Sequence, residues 1–470
     1  MYKRQVYAQV GRVYEEEPEK RGLRAETLHA MELDYGERAE IARAVSRSVV
    51  GEHVATMGSL GVTYDLLPRE SDILKREFWA RAFARLRQSG AVTLETEGKH
   101  AGCWVMRLST CADFTGMDEP DKVLVRSNGT VTYTGKDIAY QLWKFGRLDL
   151  DFDYSPFSPD WDSAGRVLEV PEDVRRHEIW ETAPDGCPSD AFGRGSTVYN
   201  VIDARQSYPQ KVVREGLRAL GLEREAERSV HFAYEMVALT PAAALRLGQD
   251  PEAFSEKAGG KAYVEMSGRK GLGVKAQDLF EAMREEALRE ISAREPDLDP
   301  VAAADRARAI VVGALRYFMV KFGRNKVIAF DFQEALNFEG DSGPYLQYSA
   351  VRADAIFRKI EAQGRTAEID AAAGRRLGAL EWEDDLWEIF SEAARVSEIV
   401  RRAIDGLELA QVARQAFALA QLFSHFYHRH PVLNEPDETL REKRLAVVRA
   451  FRESLGLLLD LLGIPAPQKM

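Results

Sequence analysis

KVLVRSNGTVTYTGKDIAYQLWKFGRL, residues Lys122 to Leu148, changes from a strand pattern to a helix pattern along its length. Val123-Leu124-Val125-Arg126 is a short β-prone run. Ser127-Asn128-Gly129-Thr130 supplies a tight reversal, because Asn and Gly tolerate the backbone angles such turns require. Val131-Thr132-Tyr133 is expected to return as a second strand. Thr134 can then cap a helix, its hydroxyl accepting an otherwise unpaired N–H. Ile138, Leu142 and Phe145 fall on one face of that helix.

The same order recurs downstream. Val198 to Asp203 (VYNVID) is an almost unbroken apolar strand, as expected where both sheet faces are covered. Ser207 and Gln210 have the spacing of a capping box, with Ser at N-cap and Gln at N3. Val213, Leu217 and Leu220 then mark a helix face. Strand–helix–strand–helix order points to a doubly wound parallel sheet. Upstream, Gly61–Asp65 reads as a strand edge, Ile73–Leu86 as an amphipathic helix and Cys103–Met106 as a short buried strand. Residues 1–50 are polar and helix-prone, without a glycine-rich phosphate loop.

From about residue 276 onward the periodicity is helical throughout. Leu279, Met283 and Leu288 begin it, and Leu386, Phe390, Ala393, Ile399 and Ala403 continue it. Leu445, Val448, Phe451, Leu455, Leu458, Leu459 and Leu462 form the last stripe, which Gly463-Ile464-Pro465 ends. The fold class read from these patterns is α/β plus all-α: a doubly wound parallel sheet, then a helical bundle.

The chain has 470 residues, 45% hydrophobic and 30% charged, enough for roughly two to four domains. A formal charge of -11 argues against indiscriminate nucleic-acid binding, and leaves room for a local basic patch. Cys103, Cys111 and Cys187 are too few for a disulfide framework, so reduced thiols are expected. His425, His428 and His430 cluster beside aromatics and arginine, without zinc-ligand spacing. No protein-bound metal is expected. No apolar run is long enough to span a membrane, and no secretory signal is evident.

Two positions carry suggestive chemistry. Tyr133 and Asp137 sit where a strand gives way to a helix, the carboxyl edge at which α/β folds bind ligands. A carboxylate there can accept a guanidinium through two parallel charge-assisted hydrogen bonds, and an aromatic ring can stack on its plane. Read alone, Asp137 also fits as a charge complementing the helix dipole.

Four stretches, in order, carry a resemblance: Lys122–Leu148, Val198–Gln210, EMSGRKGLGVKAQDLF from Glu265, and FQEALNFEGDSGPYLQYSAVRADAIFRK from Phe332 to Lys359. Together they resemble bacterial arginyl-tRNA synthetase, a class I aminoacyl-tRNA synthetase, from about Val54 to Met470. The ending LLGIPAPQKM is similar to that family's C-terminus. The resemblance further implies that the sheet is a partial class I Rossmann-type parallel sheet with an insertion, followed by an α-helical anticodon-binding bundle. It divides the chain into residues 1–115 (catalytic-domain remnant and insertion), 116–255 (second Rossmann half), 256–335 (signature loop and stem contact) and 336–470 (anticodon binding).

It implies an arginine–tRNA ligase: ATP-dependent attachment of arginine to tRNA(Arg), in the cytoplasm, by a monomer, with Mg as the counter-ion of ATP. Tyr133, Asp137 and Gln206 would hold arginine. Met266, Ser267 and Lys270 would bind ATP, with Ser267, Arg269 and Lys270 stabilising its phosphates. In this loop Glu265 and Gly268 stand where the usual class I pattern has lysines. Tyr345, Arg441 and Arg444 would contact tRNA, since arginine and aromatic side chains read RNA loops. Read by spacing alone, Phe423, Phe426 and Tyr427 belong to a core.

The first class I signature, His-x-Gly-His, does not occur in the sequence; Lys99-His100-Ala101-Gly102 and Gly51-Glu52-His53 do not fit it. The chain is therefore expected to correspond to the C-terminal portion of the family and not to activate arginine by itself. The alternatives are a non-catalytic tRNA-binding paralogue and an inert fragment.

Overall fold

In the computed structural model the described residues are 2–33, 35–162, 167–249, 263–264, 274–365 and 371–470. They form two units, one of Met1–Ala164 with Val170–Tyr234 and one of Gly165–Glu169 with Glu235–Met470.

The first unit is held by helices and small sheets. Lys122–Val125 pairs antiparallel with Trp104–Met106, which pairs with Val92–Leu94. The expected second strand at Val131 shrinks to a single bridge with Val125, because the helix Tyr133–Lys144 begins two residues later. Its cap is Thr132 rather than Thr134. The Thr132 hydroxyl donates to the Val123 carbonyl at 3.1 Å and accepts the Gly135 N–H at 3.4 Å, tying the helix start to the strand. Ile138, Leu142 and Phe145 are buried, with Phe78, Leu86, Leu124, Val213 and Leu217 in the same core.

Two further elements depart from the sequence reading. The helix expected over Ile73–Leu86 is two helices, Glu70–Lys75 and Phe78–Gln88, because Glu77 takes a left-handed conformation between them. Gly61–Asp65 is irregular, and the strand begins at Leu66. Leu66–Leu67 pairs parallel with Ile179–Thr182, whose other side pairs antiparallel with Tyr154–Phe157.

The parallel nucleotide-fold element is the pair Val198–Asp203 and Ser229–Tyr234, in register along six residues. It is not covered on both faces, as its apolar sequence suggested. Asn200 is buried, whereas Tyr199 and Val201 are 52% and 62% exposed. The helix Ser207–Ala219 follows, and its capping also differs. Ser207 is already helical, and its hydroxyl donates backwards to the Ala204 carbonyl instead of capping.

In the second unit Val237–Leu239 pairs parallel with Ile328–Phe330. Long helices follow, among them Pro300–Val320, Gly343–Ala362, Ala410–Arg429 and Glu438–Leu462. Their core contains the whole stripe from Leu445 to Leu462, with Phe423 stacked on Phe451 at 3.8 Å between ring centroids. Gly463 ends the last helix at φ +64, a conformation glycine adopts without strain. A Cβ on Gly343 would overlap the Gly313 carbonyl, so these helices cross with backbones in contact. The Gln347 amide fills the adjoining space, donating to Ala309 O at 2.8 Å and to Pro465 O at 2.6 Å. Among the described residues no helix is long and apolar enough to cross a membrane.

Candidate functional site

The Tyr133–Lys144 helix carries the polar cluster of the first unit. Its first turn is fixed by close packing: a Cβ on Gly135 would lie 3.1 Å from Trp79 and Val131 side-chain atoms. Tyr133 and Asp137 are four residues apart, hence neighbours on one helix face. The Tyr133 ring is 73% exposed, with the Lys136 ammonium 5.8 Å from its centroid.

Asp137 has a solvent-exposed edge, yet its carboxyl is pushed up to about 6. Crowding by surrounding protein is the main cause, and repulsion from Glu70 adds to it; Lys144 and Lys136 act in the opposite sense. Lys136 pairs with Glu70 at 3.2 Å. Among the described residues Asp137 makes no ion pair.

Lys144 lies on the same face, seven residues further on. Its ammonium donates to Asn200 Oδ1 at 3.0 Å and sits 4.4 Å from the Tyr140 ring centroid. Burial holds its pKa below the ordinary lysine value, and Asp137 counteracts this. Asn200 donates to Gln141 Oε1 at 3.4 Å, and Gln141 donates to Ser229 Oγ at 2.9 Å. This amide chain ties the polar face to both parallel strands. Each buried amide has a partner, so the network gives the helix one orientation on the sheet.

Chemically, two carboxylates repel each other where ionisation is already unfavourable. A bound cation relieves both costs at once. A planar guanidinium suits the arrangement, since its forked donors match carboxylate oxygens and its face matches an exposed phenol ring.

The structure brings Tyr133 and Asp137 together. Gln206 lies just beyond the Val198–Asp203 strand, at the end of the Ala204–Gln206 turn, exposed and without a hydrogen bond to either among the described residues. Met266, Ser267, Arg269 and Lys270 lie outside the described residues. Sequence reasoning missed Glu70, Tyr140, Lys144 and Asn200. The helical spacing of Asp137, Tyr140 and Lys144 held a signal, whereas Glu70 approaches from a separate helix and left none.

The residues expected to meet RNA are engaged within the second unit. Arg444 is buried, paired with Glu435 at 2.5 Å and donating to Pro431 O at 2.6 Å. Removing that guanidinium from its pair would leave Glu435 unbalanced, so Arg444 has a structural role within the unit. Arg441 donates to Glu435 O at 3.0 Å, and Tyr345 packs on Phe417 at 5.6 Å. Phe423 and Phe426 are core residues. His430 pairs with Asp385 at 2.7 Å.

Residues 346–470 match the family described as the DALR anticodon binding domain. An anticodon-binding bundle following nucleotide-fold strands defines an aminoacyl-tRNA synthetase. The chain is 36% identical, over 99% of its length, to the arginine–tRNA ligase of Thermococcus kodakarensis, of which it covers 67%. It is 35% identical to that of Deinococcus radiodurans, covering 97% of this chain and 69% of the relative. The solved structure of Thermus thermophilus arginyl-tRNA synthetase superposes with a TM-score of 0.76 at 33% identity, over 97% of this chain and 68% of that one. The chain belongs to the arginine–tRNA ligase family. It spans about two thirds of the length of these relatives, which come from both archaea and bacteria and so do not support a bacterial assignment.

Proposed function

We propose that the exposed helix face beside Tyr133 holds the guanidinium of arginine between the carboxylates of Asp137 and Glu70. The observation that carries this reading is the Asp137 carboxyl, raised to about 6, repelled by Glu70 and without an ion pair among the described residues. Such a group gains most from an incoming cation. Tyr133 stacks on the guanidinium plane, and the Gln206 amide orients the rest of the amino acid. Lys144 biases Asp137 toward the ionised form without occupying its lone pairs, since its own bond goes to Asn200.

Arginine–tRNA ligases use ATP, with Mg as counter-ion in this reading. In the family's full reaction the arginine carboxylate attacks the α-phosphorus, pyrophosphate leaves, and the arginyl group then passes to a ribose hydroxyl of tRNA(Arg) with release of AMP. This chain, in whose sequence His-x-Gly-His does not occur, is expected to bind arginine without activating it by itself. Met266 and Ser267 line the nucleotide, and Arg269 and Lys270 offset the charge that develops on the leaving pyrophosphate. The helical bundle receives the anticodon arm. The chain acts as a cytoplasmic monomer.

Calorimetric titration with L-arginine and with citrulline, its uncharged isostere, tests this assignment. Arginine is expected to bind and citrulline to fail, and Asp137→Asn is expected to weaken arginine on the order of a hundredfold. Unchanged arginine affinity in Asp137→Asn, with the fold intact by circular dichroism, would refute the assignment.

A further inference from the structure

A second polar cavity, of about 320 Å³, opens beyond the C-terminal end of the Tyr133–Lys144 helix. Four of the residues that line it are arginines, Arg147, Arg194, Arg224 and Arg228, and one is acidic, Glu225. In a chain of net charge -11 this is a local excess of positive charge. We propose that this cavity is a binding site for phosphate groups.

Three observations support it. First, the cationic capacity is available. Arg147 pairs with Glu225 at 2.8 Å, and Arg194 pairs with Asp190 at 2.7 Å, with both side chains of the second pair largely exposed. An exposed pair of that kind is weak and yields readily to a competing anion. Arg224 and Arg228 make no ion pair among the described residues, and Arg228 donates only to the Ser196 carbonyl, at 3.4 Å.

Second, the carbonyls at the helix end there are already hydrogen-bonded, so an anion meets no unpaired acceptor among them. A helix C-terminus presents carbonyl oxygens and a negative dipole end. Here Phe145 N caps Gln141 O at 3.2 Å, Arg147 N caps Leu142 O at 2.8 Å, Gly146 N caps Trp143 O at 2.7 Å and Gly195 N caps Lys144 O at 2.8 Å. The last four carbonyls of the helix are thus all turned into hydrogen bonds.

Third, the backbone is shaped around the cavity. Arg194 stands at φ 57, a left-handed conformation unfavourable for a side chain of its size. Gly146, at φ 64, faces it, and a Cβ there would lie 2.8 Å from Arg194 Cγ. Glycine at that position lets two segments far apart in sequence converge, and residues of both line the cavity. Guanidinium forks bind two phosphate oxygens at a time, which favours a multiply charged oxyanion over chloride.

The phosphate can come from free pyrophosphate or from an RNA backbone. Isothermal titration of the full chain separates the sources, using inorganic pyrophosphate and a short single-stranded RNA at matched ionic strength, with potassium chloride as control. At least one of the two is expected to bind saturably, and Arg224→Ala/Arg228→Ala to weaken it at least about tenfold. Arg224→Lys/Arg228→Lys keeps the charge without the fork and should recover part of the affinity. Tyr199→Ser, on the exposed strand face and outside the cavity lining, should leave it unchanged. The proposal is overturned if neither probe binds, if the double alanine variant, folded by circular dichroism, binds as the unaltered chain does, or if chloride competes equally.

Discussion

The parallel strand pair of the first unit and the helical bundle of the second partition their side chains in opposite ways. Along Val198–Asp203 the polar Asn200 is inside, while Tyr199 and Val201 face solvent. In the bundle Phe423, Phe426 and Phe451 are inside, and charged residues such as Glu398 and Arg402 pair on the outside. Burying an amide is favourable only when every donor and acceptor finds a partner, and exposing Val and Tyr forgoes the transfer free energy of their burial. The bundle is therefore organised for cohesion. The strand pair holds Gln141, Lys144 and Asn200 in one hydrogen-bonded arrangement on one face and leaves Tyr199 and Val201 exposed on the other.

The largest test of this contrast is Phe423→Ala. Loss of the ring stacked on Phe451 is expected to cost about 3–5 kcal/mol, read as an earlier thermal transition, and to leave arginine affinity in the surviving folded fraction unchanged. A parallel fall in arginine affinity would erase the distinction between the regions. Next comes Glu70→Gln, expected to weaken arginine by about 1.5–3 kcal/mol, the value of a hydrogen bond to a charged group, with little change in melting temperature.

The pH response sharpens the comparison further. Asp137 holds its proton more tightly folded than unfolded, so its contribution to stability is fully present below about 4, its ordinary value, and is lost as pH rises through about 6. Arginine affinity moves the other way: it is expected to fall about tenfold between pH 7 and pH 5, with proton release on binding near pH 6. Lys144→Met removes a cation that favours the ionised form and should move that midpoint upward. The smallest effect belongs to Tyr199→Ser. On the exposed strand face it should change stability by no more than about 0.5 kcal/mol while raising the concentration at which the protein aggregates, measured by light scattering.

Periodicity made the helices legible: Ile138 and Leu142, and the stripe from Leu445 to Leu462, are buried as their spacing predicts. It also placed Phe423 and Phe426 in a core, but Tyr427, read with them, is 39% exposed. Caps were read less well. Thr132 and Thr134 are chemically equivalent as caps, and only the position of the strand carbonyl at Val123 selects between them. Ser207 failed as a cap because it bonds back to Ala204. The uncovered face of Val198–Asp203 left no mark, since an apolar run reads alike whether or not something packs on it. At the candidate site, family motifs singled out Tyr133 and Asp137, while Glu70 depends on how two separate helices meet, a long-range relation that local pattern does not encode.

The amide of Gln347 has a practical corollary. It clasps Pro465, near the last residue, to the interior of two crossing helices, so the terminal segment acts as a fastener for the whole stem. Trimming the chain at Gly463 would strand a buried donor and loosen that stem. Purification handles or fluorophores placed after Met470 therefore need a spacer long enough that Pro465 stays seated.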